Sequence, residues 1–297
     1  MKIKIQKKPK YKTKNTIAIT FIYNKQLSDL TNGIELFNLF KEQGFFPEKY
    51  SALSTLRKKR PITFERLNEL LSQIWLPIYV NVEDTWILDS IEIYRDTAPK
   101  YWGNIYRDYL RTSTVAGVGD AVYQSTIALF VEADTLAGSS LNCLENIIGG
   151  LIKYSNADFA RIQYYSSYEM WESGCLREPR VTLGSRSLSK NLPDLHNISV
   201  WGKSYIELFG KEKIINAPCY KVEELSSGVM WMQLSPDVYN EKGCWTALTD
   251  TREKIKAYLN NNAFFDPKLP HDYKYNIPKF DLSDIRKPLK ISEESSF

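Results

Sequence analysis

Residues able to do chemistry are few in this chain and are poorly spaced for it. There are two histidines, His196 and His271, and neither has a second histidine three or four positions away. A helical HExxH pair, which would present two imidazoles to one zinc ion, is therefore missing. The segment nearest to a nucleophile elbow, Gly184-Ser-Arg-Ser187, lacks the second glycine of GxSxG, which the strained strand-to-helix turn requires. Cys143, Cys175, Cys219 and Cys244 lie far apart with no CxxC pair. That spacing argues against a zinc site or a disulfide framework and fits reduced, buried thiols in a cytoplasmic chain. A Cys–His nucleophile pair can still be assembled across a fold, which keeps an enzyme with a scattered site among the alternatives.

Nuclease chemistry needs paired carboxylates and a lysine to hold a metal and activate water. Asp237 followed by Glu253-Lys-Ile-Lys256 is the nearest such set, but Lys256 sits one position beyond the ExK spacing. Asp237 reads as a turn residue. Glu253, three positions after Asp250, reads as the second half of a capping box that opens a helix. Glu83, Asp84 and Asp89 surround an expected hairpin turn, where solvated acids are ordinary. Ala116-Gly-Val-Gly-Asp120 has two glycines but no GxxxxGK[ST], so a hinge or turn is expected there rather than a phosphate loop. No catalytic residue, metal or cofactor is assigned.

Surfaces remain. The chain holds 19 Tyr, 13 Phe and 7 Trp, enough for both an aromatic core and a contact surface of the kind that carries binding energy. Tyr164, Tyr165, Tyr168, Glu169, Trp171 and Glu172 form an aromatic, acidic run expected to be a loop at the end of a strand. These six are the candidate partner-binding residues. Such a face suits a basic protein partner, because complementary charge speeds association.

Charge is uneven along the chain. Residues 1–60 carry 14 Lys and Arg against four acids, and the remainder carries 25 against 31. The basic character is thus an N-terminal property, with seven lysines between Met1 and Lys14. A basic arm of this kind is also a nucleic-acid contact, which supplies the alternative reading of a nucleic-acid-associated defence protein. No stretch approaches the ~20 apolar residues of a membrane span, and the N-terminus lacks the apolar run and cleavage site of a secretory signal.

The elements that must position these residues read as α+β, with mainly antiparallel sheets and helices packed on one face. Thr16–Tyr23 is a β-branched, buried strand. A helix capped by Asp29 or Thr31 runs to Gln43 and stops at Gly44. A second helix opens at Thr63, and Pro77–Val82 pairs with Trp86–Tyr94 as a hairpin. Residues from about Asp96 to Tyr123 read as a linker. Ile127–Ala133 is a strand, Ser139 or Ser140 caps a helix to Tyr154, and Phe159–Tyr165 is a strand. Val200–Gly210 reads as a short helix ended by its glycine, and Val222–Leu225 with Val229–Leu234 reads as a hairpin. This gives an N-terminal half over 1–110 with its basic arm, a C-terminal domain over 124–266, and an extended tail over 267–297. Thr16-Ile17-Ala18 aligns with Thr126-Ile127-Ala128, each ahead of a helix, which suggests two related halves.

The C-terminal third carries a resemblance. Val200-Trp-Gly-Lys-Ser-Tyr-Ile-Glu-Leu-Phe-Gly-Lys-Glu-Lys-Ile-Ile-Asn-Ala-Pro218 precedes Val222-Glu-Glu-Leu-Ser-Ser-Gly-Val-Met-Trp-Met-Gln-Leu-Ser-Pro236 and then Pro278-Lys-Phe-Asp-Leu-Ser-Asp-Ile-Arg-Lys-Pro288. Over roughly residues 125–290 this resembles the bacterial immunity proteins of polymorphic-toxin and type VI secretion systems, nearest to the immunity protein 52 family. The resemblance implies a cytoplasmic antidote that binds a cognate toxin, often a nuclease, and blocks it by stoichiometric contact. It transfers no contact residues.

Overall fold

The computed structural model describes residues 14–23, 27–52, 58–75, 79–82, 85–88, 90–107, 110–112, 121–123, 125–154, 157–170, 191–192, 194–225, 228–266, 268–270 and 272–279. The chain opens with β1 (Thr16–Tyr23), α1 (Leu30–Glu42), the short strands β2 (Lys49–Ser51) and β3 (Arg60–Pro61), and α2 (Leu67–Ile74). Then come β4 (Tyr79–Val82), β5 (Thr85–Leu88), β6 (Ile91–Arg95), β7 (Tyr101–Tyr106), β8 (Leu110–Thr112) and β9 (Ala121–Tyr123). The second half runs β10 (Ser125–Glu132), α3 (Ser139–Tyr154), β11 (Phe159–Tyr165), β12 (Ile198–Trp201), α4 (Lys203–Phe209) and α5 (Lys211–Ile215). It ends with β13 (Lys221–Glu224), β14 (Met230–Gln233) and α6 (Thr249–Leu259).

Ten strands form one antiparallel sheet in the order β13-β14-β12-β11-β1-β10-β7-β6-β2-β3, while β4–β5 and β8–β9 are separate two-stranded ribbons. The α+β class read from the sequence is the observed one. A single sheet runs through both halves, because β1 lies between β10 and β11. Its middle is the β1–β10 pair, centred where Ile19 faces Leu129. Each of these strands leads into a helix, α1 or α3, as the aligned Thr-Ile-Ala segments suggested. Beyond the helices the halves part company. The first half reaches the outer strands β2 and β3 before β6 and β7; the second reaches β11 and β12 before β13 and β14.

Why these residues take these places is visible on β1, whose eight residues are all buried. Ile17, Ile19, Phe21 and Tyr23 face the cluster that includes Leu36, Phe37 and Phe40 of α1, Leu71 of α2, and Leu144 and Leu151 of α3. Ala18 and Ile22 face the opposite side. A strand covered on both faces reads as a continuous apolar run, and each large aliphatic or aromatic chain buried there contributes about 1.5–3 kcal/mol. The second face has its own helical layer over one half of the sheet. There Phe159, Trp201, Met230 and Met232 meet Tyr205 and Phe209 of α4, Ile214 of α5, and Ile255 and Leu259 of α6.

Several sequence expectations are corrected. The stretch from Asp96 to Tyr123 is not only a linker, because Tyr101–Tyr106 is β7, hydrogen-bonded between β10 and β6. Its burial alternates strictly, with Tyr101, Gly103 and Ile105 inside. Gly103 is required by close packing: a Cβ there would stand 2.6 Å from the carbonyl oxygen of Ala128 on the adjacent strand. The expected helix from Val200 is a strand to Trp201 and a helix only from Lys203, ended by Gly210 at φ +86°. Trp86–Tyr94 divides into β5, which pairs β4, and β6, which joins the main sheet. The Asp250–Glu253 capping box does not form. Leu248 is the N-cap of α6, and Glu253 pairs with Lys256 at 2.6 Å.

Candidate interaction face

Strand register sets the chemistry of the second sheet face where no helix of the second layer covers it. One row runs Tyr94, Trp102, Phe130, Ala18 across four neighbouring strands. The next row runs Glu92, Asn104, Ala128, Thr20, Arg161. A third runs Tyr106, Thr126, Ile22. Ala18, Thr20, Ile22, Thr126, Phe130 and Arg161 of these rows are buried, and the open part of the face is the aromatic edge at β7. Trp102 stacks on Phe130 with centroids 4.1 Å apart and planes 13° apart, yet 43% of Trp102 and 38% of Tyr106 are exposed.

Charges at the ends of the neighbouring strands are paired. Lys14 meets Glu132 at 2.5 Å, and Lys49 meets Asp96. The ammonium of Lys59 lies 3.7 Å from the ring centroid of Tyr94, whose hydroxyl donates to Glu92 at 2.6 Å. Burial and that bond to a carboxylate push the Tyr94 phenol up to about 12.

Trp245 packs with Ala18, Phe130 and Tyr165 in a buried cluster beneath this edge. Two polar anchors hold the segment that carries it. Glu169 accepts hydrogen bonds from Ser166 N and Oγ through Oε2, and from Thr246 N and Oγ1 through Oε1. Gln163, fully buried, donates to the carbonyls of Tyr164 and Gly243 and accepts from Asn197 N. Behind Trp245, α6 and the chain around Asp194 and Phe264 enclose a cleft of about 810 Å³. The guanidinium of Arg252 lies 3.8 Å from the Trp245 ring centroid and donates to the Trp245 carbonyl. Arg161 meets His196 Nε2 at 2.9 Å and the Thr20 hydroxyl at 3.2 Å. Burial lowers its guanidinium to about 10.

The six residues singled out in the sequence do not share one surface. Tyr164 and Tyr165 belong to β11, a central strand, and are 3% and 1% exposed. Tyr164 points into the helical core, and burial, with smaller contributions led by Glu241 and Asp134, pushes its phenol up to about 12. Tyr165 stacks on Trp245. Residues 167–170 are helical rather than a loop. Glu169 is 6% exposed and serves the anchor above, so it offers no negative charge to a partner. Tyr168 is the one of the six with an exposed side chain, at 60%, among the described residues. Trp171 and Glu172 lie outside the described residues, as does the basic arm before Lys14.

Trp102, Tyr106 and Trp245 were missed. The signal for the first two was the alternation in Tyr-Trp-Gly-Asn-Ile-Tyr, masked by Gly103 and Asn104, both poor strand formers. Among the described residues Cys143, Cys219 and Cys244 form no disulfide. None of the described residues make a cluster of three His, Cys, Asp or Glu able to hold a metal. No helix among them is long and apolar enough to cross a membrane. Asp237, read as a turn residue, accepts from Asn240 Nδ2 at 2.9 Å.

No family model matches the chain, and no curated protein sequence matches it. Among solved structures it is similar to the Pseudomonas aeruginosa T6SS protein PA0821, at 10% identity over 81% of this chain and 76% of that one, with a TM-score of 0.47. A likeness at that level carries no functional argument.

Proposed function

We propose that this chain is an immunity-type protein that binds a cognate protein toxin one to one and neutralises it by contact rather than by chemistry. The observation that carries this reading is Trp102, stacked on Phe130 within the sheet and still 43% exposed beside exposed Tyr106. Tryptophan and tyrosine on a rigid scaffold are the residues that most often dominate an interface, and rigid sheet positions cost little entropy to order. The charges at the neighbouring strand ends satisfy one another, so the partner that fits is an uncharged, apolar segment, and its binding depends weakly on salt. The resemblance of residues 125–290 to immunity proteins supports the same reading, with polymorphic-toxin or type VI secretion as the setting.

The test is co-expression of the tagged chain with the open reading frames beside its gene. The expected result is one dominant protein partner at near-equal stoichiometry, and restored growth of cells expressing that partner. A partner-free chain that rescues no toxicity would sink the proposal.

A further inference from the structure

The cleft behind Trp245 has the size of a small-molecule site, about 810 Å³ against the ~300–1,000 Å³ usual for such sites. Its most informative residue is Lys256 of α6, whose side chain is 11% exposed and whose ammonium lies between two unlike carboxylates. Asp194, 3.4 Å away, is 19% exposed and is also 3.8 Å from Arg252 Nε. Glu253, 2.6 Å away, is 61% exposed and sits three positions along the same helix. A pair with one partner so exposed is weak, because solvent screens it. Glu253 is therefore a weakly held anion resting on a largely buried cation. Other parts of the cleft wall are apolar and open: Phe265 is 45% and Leu269 36% exposed.

We propose that this cleft binds a small organic anion. Its carboxylate, phosphate or sulfonate head takes the place of Glu253 on Lys256, and its apolar body lies against Phe265 and Leu269. Binding breaks no covalent bond and swings the Glu253 carboxylate into solvent. The cleft lies on the same side of the sheet as Trp102, but its lining includes neither Trp102 nor Tyr106, and it does not depend on the toxin reading.

The probe is 1-anilinonaphthalene-8-sulfonate, an aromatic sulfonate, titrated by fluorescence against the intact chain, with circular dichroism and the urea midpoint as folding controls. Lys256→Gln is expected to weaken dye binding about tenfold or more, the loss of a charge-assisted contact. Glu253→Gln is expected to tighten it roughly two- to fivefold, because the competing carboxylate is gone. A residue that merely stabilises the helix would not produce that gain. Tyr220→Ala, an exposed aromatic outside the cleft lining, should leave the dye affinity unchanged. Displacement by phenylacetate or by phenyl phosphate then reports which head group the site prefers. The proposal is overturned if folded Glu253→Gln binds the dye no tighter than the unmodified chain, or if neither competitor displaces it.

Discussion

Glu169 Oε1 accepts two hydrogen bonds from one residue, Thr246, through its amide and its hydroxyl, each 2.8 Å long. This contact ties residues 166–170 to the segment that carries Trp245, which packs against Phe130. Truncating Glu169 to alanine strands buried donors, each costing about 1–3 kcal/mol. A loss of roughly 2–4 kcal/mol in urea unfolding is expected. Thr246→Ala, which retains the backbone donor, should cost less. Equal stability of Glu169→Ala and the unmodified protein would show that the contact is not formed in solution.

The place of β7 in the sheet gives a second prediction. Gly103→Ala puts a methyl group 2.6 Å from the Ala128 carbonyl oxygen and 2.7 Å from Leu129 Cδ2. Backbone must then move, and overpacking of this kind costs about 1–3 kcal/mol. A matching fall in the urea midpoint is expected. A neutral result would mean that β7 does not pack against β10 as described.

The sequence carried the local half of this fold and little of the distant half. Helix α1 with its stop at Gly44, helix α3, and the β13–β14 hairpin follow from periodicity and turn residues within a few positions of one another. Asp29, however, makes no side-chain cap, and Ser139 and Ser140 lie inside α3 rather than capping it. The pairing of β1 with β10 is a contact between Ile19 and Leu129, and no local pattern specifies it. For the same reason Tyr164 and Tyr165 read as surface: their aromatic, polar neighbourhood does not reveal that β11 lies between β1 and β12. Of the candidate site, the aromatic composition was legible, but its location on β7 and β10 depended on register across strands.

Alkaline pH should weaken the fold through its buried phenols. Burial raises Tyr164 to about 12, above the value of about 10 for an unfolded tyrosine. A raised folded-state pKa means that its stabilising effect is full below pH ~10, where neither state is ionised. Above that the unfolded chain loses its proton first, so stability falls as pH climbs from about 10 to 12, by up to about 1.4 kcal/mol per pH unit for each such group. Urea midpoints measured across that window should decline, and Tyr164→Phe should flatten part of the decline. An unchanged slope would contradict the buried placement of this hydroxyl.

Salt separates the aromatic reading of the contact face from an acidic one. With Glu169 turned inward and Lys14–Glu132 and Lys49–Asp96 paired, the affinity for the partner should change less than about threefold between low and moderate salt. An acidic face gripping a basic toxin would instead weaken steeply, mainly through its association rate.

The most direct measurement is calorimetric titration of the co-purified toxin against the intact chain and against Trp102→Ala, with the urea midpoint confirming that the variant is folded. Truncating a central aromatic anchor is expected to weaken binding by about 30-fold or more, at unchanged one-to-one stoichiometry. An affinity unaltered by Trp102→Ala would contradict the account and place the toxin on a different face of the molecule.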